Sequence, residues 1–593
     1  MSIARRAIGK RDLKKMDNQR NLILAIALSI GILLGWQVLF PPPEPAPVTP
    51  VTGEQADGTA GMVPPSGQSA AAVPPGSISA PVLGGTEAEV RSNTLAKAPR
   101  LRIESERLTG SISLKGSRID DLILSTYREE LAEDSDPITL FSPSGAPHAY
   151  FAEFGWVPVA GGGIRLPTAE DVWTTDRETL SPDSPVTLTW DNGHGVVFKR
   201  VISLDQQYMF HIRQTVTNNT DQPLSMAPYG LVSRHETPET TQFYILHEGL
   251  LGVFDGTLEE VDYDDLKEEK TKTLTSTGGW LGITDKYWLA AVIPDQTQPI
   301  NGRFHYKTVG NGDRYQADFT GAVVTVQPGG EAVATSHLFA GAKEVELLDG
   351  YANDMGITNF DLAIDFGWFY FLTKPIFLAL LFINKFVGNL GVAILLLTVC
   401  IKALFYPLAN TSYRAMSKMK KLQPEMKKLQ ERFKDDKARL NQEMMALYKK
   451  EKANPAAGCL PMLVQIPVFF SLYKVLFVTI EMRQAPFFGW IQDLSVQDPT
   501  SLFNLFGLIP WDPPTFLIIG VWPLLMGITM YLQQKLNPAP ADPIQAKIFM
   551  FLPFVFTIML ASFPAGLVIY WVWNNVLSIA QQWVIMRRMG VAP

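Results

Sequence analysis

The stretch GVAILLLTVCIKALFYPL, from Gly391 to Leu408, rules out most folds for this chain. It is long enough to cross a bilayer, which takes about 20 mostly apolar residues. It holds one charge, Lys402, near its far end, and the chain turns basic straight after it. An ionisable residue inside a membrane segment is costly and by default marks function. Lys402 also lies five residues before Pro407, about 7.5 Å along a helix at 1.5 Å per residue. Its side chain can therefore snorkel to the nearer interface. Position alone leaves the two readings level.

The flanking segments fix how this stretch sits. Between Ala409 and Ala456 there are thirteen Lys/Arg against six Asp/Glu. A short loop with that bias belongs in the cytoplasm. Upstream, residues 361–386 are apolar and aromatic with Lys374-Pro375 in the middle. If both this segment and 388–408 crossed, the basic loop would lie outside. One of them therefore crosses, and 361–386 reads as an amphipathic helix along the outer interface. The loop, 409–457, reads as a helical hairpin. Met416, Met419, Leu422, Met426, Leu429 and Phe433 form one helical stripe, and Leu440, Met444, Leu447 and Tyr448 form a second. The stripes either face each other as the hairpin's own seam or present an adaptable Met-rich surface to partners.

The rest follows in chain order. Residues 1–21 hold seven Lys/Arg and precede an apolar run, 22–40, with no small-residue cleavage site. This reads as an uncleaved anchor with a cytoplasmic N-terminus. Residues 41–99 are Pro-, Ala-, Gly- and Ser-rich, with no aromatic residue before 96, and read as a flexible periplasmic tether. Residues 100–345 carry short period-two runs rich in β-branched and aromatic residues, broken by turn residues. An all-β sandwich of two packed sheets is expected. Its single histidines (His194, His211, His247) read as structural, and its acidic run Glu259–Glu269 as a solvated loop. Beyond the hairpin, segments 460–481, 515–534, 548–563 and 566–586 read as spans. They are joined by a periplasmic loop 482–514 and a cytoplasmic loop 535–547, and end in a short tail, 587–593. The expected fold is thus a multi-pass α-helical membrane protein of six spans with a large periplasmic β-domain and both termini inside.

Composition removes other functions. The net charge of −7 gives no global case for nucleic acid. The two cysteines, Cys400 and Cys459, both adjoin apolar stretches, so no disulfide framework holds the β-domain. Neither GxxxxGK[ST], HExxH nor GxSxG occurs. No cofactor, metal, nucleotide or enzymatic activity is expected. A secondary transporter coupled through Lys402 would need paired carboxylates or an inverted repeat, and neither is evident. A non-catalytic assembly scaffold, with the β-domain as the working part, is the alternative to keep.

Long blocks carry a family resemblance. MKKLQPEMKKLQERFKDDKARLNQEMMALYKKEKANPAAGCLPMLVQIPVFFSLY, RQAPFFGWIQDLSVQDP, FPAGLVIYWVWNNVLSIAQQ and GGWLGITDKYWLAAVIP resemble the YidC/Oxa/Alb family of membrane insertases, in its Gram-negative branch. The resemblance implies a five-helix core with a hydrophilic groove, open to cytoplasm and lipid and closed on the outer side. One positive residue in that groove attracts polar parts of an incoming chain. By position that residue is Lys402, where the family's usual pattern has Arg. Lysine is a compact charge without the planar fork. Thr398 lies one turn before it and would share its face. Tyr570 and Trp571 match the family's substrate-contacting aromatic positions. Gln465, Asn574 and Gln581 either line the groove or hydrogen-bond between helices. Lys474 reads as a snorkelling residue near the outer interface. The implied partners are nascent membrane proteins, the Sec translocon (SecYEG and SecDF), the ribosome and signal recognition particle pathway through the hairpin, and membrane lipids. The implied location is the bacterial inner membrane.

Overall fold

The computed structural model describes residues 86–590, apart from 133, 160–163, 241–245, 311, 434–435, 452–459, 508, 510, 512, 515–517 and 538–542. The expected anchor, most of the tether and the first residues of 515–534 lie outside the described residues.

The tether's last part differs from expectation. Thr86 caps helix α1 (Glu87–Leu95), with Glu89 returning the bond in a capping box. The T-x-x-E signal is hidden by the tether composition around it. Arg91 fixes the helix to the β-domain through Asp121 and the Phe141 carbonyl.

Strands from Arg100 to Ala342 form an eleven-stranded and a nine-stranded sheet. Their side chains alternate as period two requires. In Val196–Leu204 the inward set is Val196, Phe198, Arg200, Ile202 and Leu204. Arg200 is thus buried between the sheets. It donates to the Ser117 carbonyl (2.7 Å), the Ser117 hydroxyl (2.6 Å) and the Phe154 carbonyl. It also stacks on Trp173 at 5.0 Å. An arginine at a core position is tolerable because both its terminal nitrogens find acceptors across the gap, although its Nε is left without one.

The acidic run is not a loop. Asp255-Gly256 makes a two-residue turn with both φ positive, the geometry that suits strand twist. It joins Gly249–Phe254 to Thr257–Asp262. Helix α2 (Tyr263–Glu269) follows, burying Tyr263 and Leu266. The apolar Val261, Tyr263 and Leu266 outweigh the carboxylates, which stay outside. His247 contacts Asp262 and the Leu250 carbonyl, and His211 pairs with His337 at 2.9 Å. Both have the structural partners expected of them.

Helix α3 (Val345–Asp354) leads out of the sandwich. Phe360, in a short 3-10 turn, plugs back against Trp280 and Phe339. Helix α4 (Tyr370–Val387) buries Thr373, Ile376, Phe377 and Leu380 and leaves Phe371, Phe382 and Phe386 exposed. Its Lys374 binds Asp349 (2.7 Å) and Asp361 (2.9 Å).

The remaining helices are α5 (Leu390–Leu404), α6 (Tyr406–Arg432), α7 (Lys437–Lys450), α8 (Leu460–Val478), α9 (Val521–Leu536), α10 (Pro543–Met559) and α11 (Ala565–Arg588). The stretch expected to be one helix over 388–408 is broken. The chain bends by 69° between α5 and α6. Pro407 lies in the first turn of α6, where its missing N–H costs nothing, while a continuing helix would lose a bond there. Among the described residues, α4 alone and the α5–α6 pair taken together reach the length and apolar content of a membrane crossing.

The hairpin stripes face each other. Leu422 and Met426 of α6 pack on Met444 and Leu447 of α7, flanked by Met419, Leu429, Leu440 and Tyr448. The Met-rich surface is therefore consumed as the seam. Lys474, expected to snorkel freely, has a partner: its ammonium pairs with Asp365 at 2.7 Å. Buried apolar side chains run without interruption from the sandwich into α5, α8 and α11.

Candidate functional site around Lys402

Two ends of the helical part are built differently. At one end, loop 482–514 ties three helix starts together. Asn389, before α5, donates to the Pro486 and Phe487 carbonyls (3.3 and 3.2 Å). Asp498, almost fully buried, accepts from the Trp522 amide of α9 (2.9 Å) and the Trp490 indole (3.1 Å). A carboxylate suits a helix N-terminus. The Ala565 and Gly566 amides, at the start of α11, donate to Val496 and Leu494 (2.6 and 3.0 Å). Arg483 then fastens the loop to the β-domain through the Arg128 and Glu129 carbonyls (2.5 and 3.1 Å).

Lys402 lies toward the other end of α5, about 20 Å from Asn389 at 1.5 Å per residue. It sits just before the bend. Its ammonium donates to the Ser578 hydroxyl of α11 at 2.9 Å. Ser578 in turn donates to the Asn574 carbonyl at 2.7 Å. Tyr413 of α6 lines the same space. Among the described residues, no carboxylate pairs with Lys402.

The ammonium faces a cavity of about 40 Å³ for water centres, lined by Lys402, Phe405, Tyr413, Gln465 and Gln581 among others. At roughly 10–15 Å³ per water, it admits about three. Gln465 donates to the Tyr570 hydroxyl at 2.7 Å. The Gln581 amide nitrogen and the Asn574 side-chain oxygen are buried without partners. Orphaned polar atoms of this kind call for water or a ligand.

The structure brings together only part of the expected residue set. Lys402 and Gln465 line the cavity, as does Gln581. Tyr570 lies behind Gln465 and is buried. Trp571 stands apart, its ring 4.7 Å from Phe469 and 5.9 Å from Phe556. Asn574 contributes its carbonyl to Ser578. Thr398 does not open on the cavity. It is 2% exposed and its hydroxyl bonds back to the Ile394 carbonyl of its own helix at 2.7 Å. Ser578 and Tyr413 escaped the sequence reading. Asn574, Ser578 and Gln581/Gln582 recur at helical spacing, and that polar stripe was the available signal. The arrangement offers the Lys402 ammonium, several neutral hydrogen-bonding groups and room for water, which suits contact with polar peptide.

A structure of this kind, a β-sandwich fused to helices around one partly buried ammonium, is matched by known families. The YidC periplasmic domain family covers residues 100–379, and the 60Kd inner membrane protein family covers residues 382–591. A membrane protein insertase YidC from Beijerinckia indica is 52% identical over 586 residues, covering 97% of each chain. Another from Rickettsia bellii is 50% identical, covering 96% of this chain and 99% of its own. An active YidC insertase crystal structure with the first transmembrane domain resolved aligns at 16% identity with a TM-score of 0.33, over 83% of this chain and 96% of that one. The chain belongs to the YidC family of membrane protein insertases, non-catalytic inner-membrane proteins with a periplasmic domain.

Proposed function

We propose that this chain inserts newly made membrane proteins by way of the cavity at Lys402. The carrying observation is an ammonium that, among the described residues, is held by a neutral hydroxyl, inside a space between α5, α6, α8 and α11 where Tyr413, Gln465 and Gln581 interrupt an otherwise apolar lining. A hydrated, positive concavity shortens the apolar barrier for a polar segment, because the cost of burying polar groups falls when water is admitted. The substrate's own apolar helix supplies the drive, at about 25 cal/mol per Å² removed from water. In this reading α5, α8, α9, α10 and α11 cross the membrane with the anchor 22–40. The β-domain then lies in the periplasm, and the hairpin and both termini in the cytoplasm. The α4 helix rests along the outer interface. The basic hairpin suits the ribosome or the signal recognition particle pathway, and the Sec translocon is the partner for larger substrates.

Site-specific photocrosslinking during synthesis of a small membrane protein tests this. Probes at Lys402 and Gln581 are expected to reach the nascent chain, and a probe at Thr398 is not. Crosslinks from Lys402 and Gln581 to lipid and neighbouring helices alone would overturn the reading and favour the scaffold.

A further inference from the structure

A second and larger cavity, of about 510 Å³, opens where the β-domain meets the helices. Arg107 comes from the sandwich, Glu344 and Glu346 from the start of α3, Asn384 and Lys385 from the last turn of α4, and Glu481 from just beyond α8. Leu381 and Ile480 add apolar wall.

The hydrogen bonding here is lopsided. Arg107 is taken by Glu344 at 2.6 Å. Lys385, mostly exposed, reaches Glu346 at only 3.4 Å. One Glu481 oxygen accepts from the Val345 amide at 3.3 Å. The other Glu481 oxygen and the Asn384 side-chain oxygen are both buried and without a donor. Two orphaned acceptors from residues lining one cavity ask for a ligand rich in N–H donors. Four carboxylates, Glu106, Glu344, Glu346 and Glu481, against the two cations Arg107 and Lys385 ask for it to be cationic. Beside them, exposed Lys385 offers a counter-charge for an anion. The neighbouring face of α4 exposes Phe382 and Phe386, whose rings pack 5.0 Å apart.

We propose that this cavity binds the headgroup of a phosphatidylethanolamine-type lipid, its primary ammonium on Glu481 and Asn384, its phosphate at Lys385 and its acyl chains along Phe382 and Phe386. The inference rests on the reading above that α4 lies along the outer interface. The chemistry discriminates sharply. A trimethylammonium has no N–H to give, and an uncharged glycerol headgroup brings an uncompensated phosphate to a carboxylate-rich site.

The test uses the purified full chain in nanodiscs of equimolar phosphatidylethanolamine, phosphatidylcholine and phosphatidylglycerol. Lipids retained after detergent transfer are counted by native mass spectrometry. Phosphatidylethanolamine is expected to be enriched about tenfold over phosphatidylcholine, the ratio that one charge-assisted hydrogen bond of about 1.4 kcal/mol supplies. Glu481→Gln and Asn384→Leu, made separately, are each expected to reduce that enrichment severalfold, so misfolding of one leaves the other. Free phosphoethanolamine is expected not to displace the retained lipid; displacement would assign the cavity to a soluble ligand and overturn the lipid source. Equal retention of all three lipids, the result if water alone fills the cavity, overturns the proposal outright. No substrate is present, so failed insertion in a separate assay would sink the insertase mechanism without touching this readout.

Discussion

Replacing Lys402 by methionine keeps the length and removes the charge. Consider an acidic side chain of a substrate reaching the cavity. At 4 Å the attraction to an ammonium is about 1 kcal/mol in bulk water and about 4 kcal/mol at an effective dielectric near 20. A cavity admitting about three waters lies between these limits. The Ser578 hydroxyl already holds the ammonium at 2.9 Å, and exchanging that bond for a carboxylate gives back about 1 kcal/mol. The net gain is about 1–2 kcal/mol, or roughly 5- to 30-fold in rate per acidic residue that passes.

Two substrates with one apolar helix and different translocated segments, one acidic and one neutral, separate charge from other effects. In proteoliposomes holding the full chain, Lys402→Met is expected to slow the acidic substrate by that factor and the neutral one by less than about twofold. Lys402→Arg is expected to retain both rates, since the charge persists. Equal slowing of both substrates would make Lys402 a packing residue. An unchanged acidic substrate would leave Lys402 with no electrostatic role, and either outcome refutes the argument.

Three further outcomes are expected elsewhere. Arg200→Met removes the donor to the Ser117 and Phe154 carbonyls between the sheets; urea unfolding of the β-domain in the full chain should show a loss of about 1–3 kcal/mol, and a loss below about 0.5 kcal/mol would contradict its bridging role. His235 is pushed down to about 3 by burial, with Arg314, Arg118 and Lys307 adding to the effect. The unfolded chain therefore binds a proton below about 6.5 that the folded one refuses, so stability is complete above that pH and falls as pH drops toward 3. At pH 5 the deficit is about 2 kcal/mol, and His235→Phe should remove it, as read from unfolding midpoints at pH 7.5 and pH 5. Asp498→Ala strips a buried acceptor from Trp522 and Trp490 and should speed proteolysis within 482–514 at least severalfold, with an unchanged cleavage pattern counting against the tie.

How far the sequence could be read depended on whether a feature was local. The sandwich was legible because period-two runs such as Val196–Leu204 fix which side chains point inward. The hairpin was legible because its stripes carry their own partner, Leu422 and Met426 against Met444 and Leu447. Lys402 stood out because a lone charge in an apolar run has few explanations. Its anchor did not, since Ser578 is 176 residues away and nothing local selects it over Asn574 or Gln581. The partner of Lys474 was hidden for the same reason: Asp365 lies 109 residues upstream. Helix α1 was missed although its signal is local, because one capping box weighs little against a tether's worth of Pro and Ala. The bend at Phe405 was missed because hydropathy does not register a helix break inside an apolar run.

That bend matters for how an insertase can stay sealed. The starts of α5, α9 and α11 are all tied to one loop, and that loop is tied to the β-domain. Lys402 and Ser578 each lie thirteen residues past the first of those ties on their helix, so the cavity lies about 20 Å from the tied end. A continuous helix through Leu408 would carry α6 straight onward. With a 69° turn instead, α6 leaves sideways, and its Tyr413 forms part of the wall of the Lys402 cavity. The Lys402 cavity thereby lies in the half of the helical part away from those ties. If substrates pass by way of that cavity, as proposed, moving a polar segment needs hydration of a short path rather than a swing of the whole bundle, while the loop and β-domain hold the far end.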